Sequence, residues 1–171
     1  GSLVATTVTQ MVLVNGHVTI IPTSSIAFNN AYVITGRAEL EITGNKTLTG
    51  NKTLTDDMFD FELYTTDDTY KIEGIVPTTT QNKNGAYSFK LEYTPDDVGK
   101  VFHYVVKEAN AGETIKGITY SDAEYRIKVE VKDNEKGGIE TVVTAHGLSS
   151  AVNGNKTTVS GADFENSYLA S

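Results

Sequence analysis

Along most of the chain, apolar and polar residues alternate with a period of two, the pattern of a strand that buries one face and wets the other. The odd positions are apolar in Phe59-Asp60-Phe61-Glu62-Leu63 and again in Tyr87-Ser88-Phe89-Lys90-Leu91-Glu92-Tyr93. Tyr125-Arg126-Ile127-Lys128-Val129-Glu130-Val131-Lys132 puts apolar side chains on one face and charged ones on the other. Thr, Val and Tyr are abundant, as a pleated surface favours. Asn84-Gly85, Pro95-Asp96-Asp97, residues 134–138 and Asn153-Gly154 punctuate the runs as turns. Pro95 ahead of two aspartates predicts a short helical turn, and no stretch sustains a helical period. Many short strands of one-sided polarity predict an all-β protein, specifically an antiparallel β-sandwich.

Composition narrows the function classes. The 171 residues are 39% hydrophobic, enough for a core and for one domain with a remainder. With 22 acidic against 14 basic residues the net charge is −8, which argues against nucleic acid as a partner. No apolar run reaches spanning length, so no membrane insertion is expected. The absence of cysteine excludes a disulfide framework, a thiolate zinc site and a cysteine nucleophile. No cofactor is expected.

The charge is unevenly spread, with Arg37 the one charged residue among positions 1–38. An internal repeat accounts for this. Ile26-Ala27-Phe28-Asn29-Asn30-Ala31-Tyr32-Val33 matches Ala162-Asp163-Phe164-Glu165-Asn166-Ser167-Tyr168-Leu169, and residues 3–9 resemble 139–144 in character. Residues 1–37 therefore read as the C-terminal strands of a truncated upstream module, and 38–171 as a complete module cut from an array. Asn30 stands where Asn166 stands. Its partners would lie upstream of residue 1, so Asn30 is expected to be unreacted, and strands within 3–33 are expected to leave an unpaired edge.

Strand parity also selects polar residues for the interior. Leu40, Ile42, Lys46 and Leu48 share one face of a strand, with Gly44 between them. On 101–108 the apolar face holds Phe102, Tyr104 and Val106, and its next member is Glu108. On the last strand Phe164, Asn166 and Tyr168 lie together. A lysine, a glutamate and an asparagine are thus placed inward, where an unpaired charge is costly. An ordinary buried ion pair with an asparagine hydrogen bond is one explanation. A reaction is the other. Burial lowers a lysine pKa and raises a glutamate pKa, a neutral amine is a nucleophile, and a protonated carboxyl can donate to the amide oxygen and carry protons to the leaving group. The product would be a Lys–Asn isopeptide bond plus ammonia.

The run Gly44-Asn45-Lys46-Thr47-Leu48-Thr49-Gly50 is followed by Met58-Phe59-Asp60-Phe61-Glu62-Leu63. Then come Asp97-Val98-Gly99 with Tyr104-Val105-Val106-Lys107-Glu108, Gly117-Ile118-Thr119-Tyr120, and finally Phe164-Glu165-Asn166-Ser167-Tyr168. In this order the motifs resemble the Gram-positive pilin isopeptide-linkage domain of streptococcal backbone pilins of the T-antigen type and related adhesins. The resemblance implies an Ig-like, CnaB-like sandwich and a bond from Lys46 to Asn166 with Glu108 as catalyst. It further implies a structural stalk module on the bacterial cell surface, partnered by adjacent modules of the same protein. The alternative is a ligand-binding adhesin module for a glycan or host protein on the same fold; no cluster of aromatics in the presumed loops supports it. A hydrolytic enzyme is the third class, and no constellation beyond this triad suggests one; the triad reacts once rather than turning over.

One assignment has a rival. Gly-Asn-Lys-Thr-Leu-Thr occurs at 44–49 and again at 50–55, so Lys52 shares the parity and neighbours of Lys46. Lys46 is preferred because it continues the strand from Leu40, whereas Lys52 precedes Asp56-Asp57, a loop signal. The remaining candidates read as structural. His17, His103 and His146 are isolated. The pairs Asp56-Asp57, Asp67-Asp68 and Asp96-Asp97 lack calcium-loop spacing and read as turns.

Overall fold

The structure, a computed structural model, describes residues 9–14, 17–22 and 33–170, with side chains from 33 onward. The chain divides into two compact units, Gly1–Ile34 and Thr35–Ser171. Of the first, β1 (Thr9–Val14) and β2 (His17–Pro22) form an antiparallel hairpin that pairs Val14 with His17. Asn30 falls outside the described residues, and of the segment 3–33 in which an unpaired edge is expected only β1 and β2 lie within them, paired with each other.

The second unit contains twelve strands: β3 (Ala38–Thr49), β4 (Asp60–Thr66), β5 (Thr78–Gln81), β6 (Ala86–Tyr93), β7 (Val101–Glu108), β8 (Thr114–Ile115), β9 (Ile118–Thr119), β10 (Glu124–Asp133), β11 (Ile139–Thr144), β12 (Ser149–Asn153), β13 (Lys156–Ser160) and β14 (Phe164–Tyr168). The predicted helical turn is a 3₁₀ turn at Pro95–Asp97, where the Thr94 N–H donates to Asp97 Oδ2 at 2.9 Å. One sheet runs β11-β10-β7-β4-β5, antiparallel throughout. The other is built on β3, with β6 antiparallel on one edge and β13 and β14 sharing the opposite edge; β12 lies outside β13, and β9 and β8 lie outside β14. The two sheets pack as a sandwich around Ile42, Phe61, Val106, Ile127, Val129 and Val159, all fully buried.

Two features depart from the sequence expectation. First, the sandwich is not wholly antiparallel: β13 and β14 both run parallel to β3. Period-two alternation reports which face is buried and carries no information on strand direction. β13 covers Glu39 to Ile42 and β14 covers Lys46 to Thr49, so the chain between them must pass close to the middle of β3. It does so at Gly44, where a Cβ would lie 1.8 Å from the Ala162 carbonyl oxygen. The same carbonyl accepts a hydrogen bond from the Tyr87 hydroxyl at 2.6 Å, and the Asn45 N–H donates to Asp163 Oδ1 at 2.8 Å. Second, β7 is buried on both faces at its centre. Val105, on the face predicted to be wet, is buried with its partner Tyr64 on β4. The Tyr70 ring lies on this outer side, edge-on to His103 at 5.2 Å and 5.0 Å from the Arg126 guanidinium.

Candidate functional site

The interior of this sandwich holds a polar cluster. β3 is unbroken from Ala38 to Thr49, so its inward face continues through Gly44 to Lys46. Glu108 ends β7 on the inward face, opposite Phe61 of β4. On β14, Phe164 pairs with Lys46 and Asn166 with Leu48, which makes Asn166 the diagonal neighbour of the lysine. A long side chain spans such a diagonal. Relative exposures of 1% for Lys46 and 0% for Glu108 and Asn166 rank them with the core aliphatics.

Glu108 Oε2 is the meeting point: Lys46 Nζ lies 2.9 Å away, and Asn166 Nδ2 donates to the same oxygen at 3.0 Å. The Asn166 Oδ1 accepts the backbone N–H of Ser121 at 2.8 Å. The cluster is otherwise under-satisfied. Nζ and Oε1 make no hydrogen bond of good geometry, although the Ser121 N–H also bears on the Glu108 carboxylate.

The walls are aromatic. The Phe59 ring centroid is 4.5 Å from Nζ, and Phe59 meets Tyr120 edge-on at 5.6 Å. Phe61 stacks on Tyr87 at 4.2 Å and tilts against Phe164 at 5.5 Å. Burial behind such a wall penalises the charged forms. Burial pushes the Lys46 ammonium down from its ordinary pKa, outweighing the pull of Glu108. Burial pushes the Glu108 carboxyl up, outweighing Lys46 and the hydrogen bonds from Asn166 and the Ser121 N–H. Both shifts favour the neutral pair, an amine beside a carboxylic acid.

The structure brings Lys46, Glu108 and Asn166 together and leaves Lys52 out. Lys52 is exposed on the loop after β3, its Nζ 5.1 Å from the Tyr168 ring. One expected contact differs. The glutamate is expected to donate to the amide oxygen; in the structure its Oε2 accepts from the amide nitrogen, and the Ser121 N–H donates to the oxygen. Two supporting groups escaped the sequence reading. Ser121 acts through a backbone atom, which no side-chain pattern reports. Asn82, fully buried, accepts the N–H groups of Met58 and Phe59 at 3.1 and 2.8 Å and donates to the Thr55 carbonyl at 2.9 Å, holding the segment that carries the Phe59 ring. In sequence it looks like one more polar residue before the Asn84-Gly85 turn.

The fold and the site together define a class: a β-sandwich module with a lysine on its first strand and an asparagine on its last, joined through a buried glutamate. Residues 42–169 match the family described as the Spy0128-like isopeptide containing domain, FctA, and the chain belongs to that family. Among solved structures, the major pilin from Streptococcus pyogenes aligns at 20% identity over 77% of this chain and 50% of its own, with a TM-score of 0.41. The T-13 major pilin of the same species aligns at 24% identity over 81% of this chain and 55% of its own, with a TM-score of 0.37. The pilus adhesin SpaC from Lactobacillus rhamnosus GG aligns at 16% identity over 95% of this chain and 18% of its own, with a TM-score of 0.40. The chain thus spans about half the length of the first of these pilins. No curated protein matches it.

Proposed function

We propose that this chain is a stalk module of a bacterial surface pilin or adhesin, stabilised by a self-formed isopeptide bond between Lys46 and Asn166. The observation that carries the reading is the shared oxygen: amine and amide both sit within hydrogen-bond distance of Glu108 Oε2, in a buried pocket that favours the neutral forms of Lys46 and Glu108. The neutral Nζ attacks Asn166 Cγ. Glu108, protonated at the start, gives its proton to Nδ2 and takes one from Nζ, the Cγ–Nδ2 bond breaks, and ammonia leaves. Glu108 is returned unchanged, while Lys46 and Asn166 are consumed, so the event happens once per chain.

The bond would tie the first strand of the module to the last. β14 lies parallel beside β3, so a pull on the two ends of the module shears this pair, and a covalent link across it carries the load. In a secreted protein without cysteine this takes the place of a disulfide. The site of action would be extracellular, in the cell wall or a pilus, with adjacent modules of the same protein as partners. Residues 1–37 fit a truncated copy of such a neighbour, on the strength of the repeat around Asn30 and Asn166.

Intact mass under denaturing conditions tests this directly. The chain is expected to weigh one ammonia less than its sequence. Folded protein of full mass would refute the cross-link.

A further inference from the structure

We propose that the backbone N–H of Ser121 is the oxyanion donor of the cross-linking step. The inference rests on the isopeptide reading and adds to it the group that stabilises the developing charge. When Nζ attacks Cγ, the carbonyl electron pair moves onto Asn166 Oδ1, and a negative oxygen in a buried, aromatic pocket needs a donor. Glu108 Oε2 accepts from Nδ2 and does not supply one. Ser121 does, with its N–H 2.8 Å from Oδ1.

This donor is fixed before the reaction begins. Ser121 follows β9, and β9 pairs with β14 through Thr119–Ser167 and Ile118–Tyr168, so donor and acceptor ride on adjacent strands. The preceding peptide is held by the Tyr120 N–H on the Glu113 carbonyl at 2.9 Å and by the Gly112 N–H on the Tyr120 carbonyl at 3.1 Å. On the other side, the Ala123 N–H donates to Ser121 Oγ at 3.2 Å. A donor held this way needs no reorganisation as charge develops. It also orients the amide. An N–H can only face an oxygen, so Oδ1 turns to Ser121 and Nδ2 to Glu108, which sets the leaving nitrogen against the proton carrier. The electron count closes: the Nζ lone pair forms the new C–N bond, the charge rests briefly on Oδ1 under the Ser121 N–H, and the pair returns as Nδ2 departs with its proton.

The test requires chains that have not yet reacted. The full chain is made in a short cell-free pulse and quenched into denaturant at intervals, and ammonia loss is followed by intact mass. Ser121→Ala keeps the N–H and loses only the Oγ contact with Ala123, so it sets the reference rate. Placing the α-hydroxy analogue of alanine at position 121 turns the peptide link into an ester and deletes only the N–H. That variant is expected to react roughly 10²–10³-fold more slowly than Ser121→Ala. A folded ester variant that keeps pace with Ser121→Ala overturns the proposal. A wild type that never loses ammonia overturns the isopeptide reading instead, so the two failures are distinct. A second measurement does not depend on the ester folding. In the unreacted Glu108→Gln protein the Ser121 amide proton is expected to be protected from exchange, and to lose that protection when Asn166→Ala is added. Fast exchange of Ser121 in Glu108→Gln overturns the proposal equally.

Discussion

Replacing Glu108 with glutamine isolates the chemistry from the packing. The side chain keeps its volume and can still face Asn166, but the group that touches both Nζ and Nδ2 no longer accepts or returns a proton. The chain is expected to fold and to stay at full mass. The stability lost can be worked from the topology. A link from Lys46 to Asn166 closes a loop of about 120 residues, and the chain-entropy relation gives such a closure about 5 kcal/mol, a relation built for disulfides and applied here to an isopeptide. For a module of this size each kcal/mol moves the midpoint by roughly 3–4 °C, so the unlinked variant should melt about 15–20 °C below the wild type. Calorimetry paired with intact mass on the same samples measures both quantities. A Glu108→Gln protein that still loses ammonia would show that Glu108 is not the proton carrier. An unlinked protein that melts within a few degrees of the wild type would show that closing the loop contributes little.

The other substitutions test position and electrostatics. Lys52→Ala should leave the ammonia deficit intact, and Lys46→Ala should abolish it; the reverse outcome, read by mass, would move the nucleophile to the exposed loop. Gly44→Ala should destabilise the module by several kcal/mol and depress the yield of linked chain, because a Cβ 1.8 Å from the Ala162 carbonyl forces β3 away from the β13–β14 connection; a normal melting point and full linkage would refute that close approach. In Lys46→Met, which cannot link, Glu108 is buried without its cation and burial holds its pKa above the ordinary carboxylate value. The folded state then binds the extra proton between the unfolded and folded pKa values, so stability should fall as pH rises through that window, by up to about 1.4 kcal/mol per pH unit. Urea midpoints across a pH series would show this slope, and a flat profile would mean that Glu108 is not desolvated.

Much of the fold and most of the site could be read from alternation alone, for a physical reason. A strand has only two faces, so a polar residue in register with Leu40 and Ile42, or with Tyr104 and Val106, has nowhere to point but the core. Lys46 and Glu108 followed from that parity, and Asn166 from its place beside Phe164. Alternation says nothing about direction, which is why the parallel pairing of β3 with β13 and β14 was not visible. It also fails where the outer side of a sheet is buried, as at Val105 and its cross-strand partner Tyr64. The Ser121 contact lay further out of reach, since every residue other than proline offers the same N–H and only tertiary placement selects one. The Lys46–Lys52 ambiguity, by contrast, is a register ambiguity. The end of β3 favours Lys46: Thr49 closes the strand, and Gly50 turns the chain away with a φ of 96°.

The hydrogen bonding of the cluster frames the choice between a reactive triad and an ordinary ion pair. A salt bridge kept for structure is expected to complete its hydrogen bonds, because two buried charges are tolerated only when their remaining donors and acceptors are paired. Here neither Oε1 nor Nζ makes a hydrogen bond of good geometry. The proposed bond would relieve that cost by removing the titratable amine from the core and leaving a neutral amide in its place. The two possibilities make opposite predictions for one substitution. Exchanging the pair for apolar residues of similar size, Lys46→Met with Glu108→Leu, is neutral or stabilising where the pair is merely ionic. Where the pair is the precursor of a covalent bond, the same exchange forfeits the closed loop, and the net change should be a loss approaching the 5 kcal/mol or so of that closure. Denaturant titration of the double variant against the wild type reads the sign. A double variant as stable as the wild type would mean that Lys46 and Glu108 serve the fold as an ion pair, and that nothing covalent joins β3 to β14.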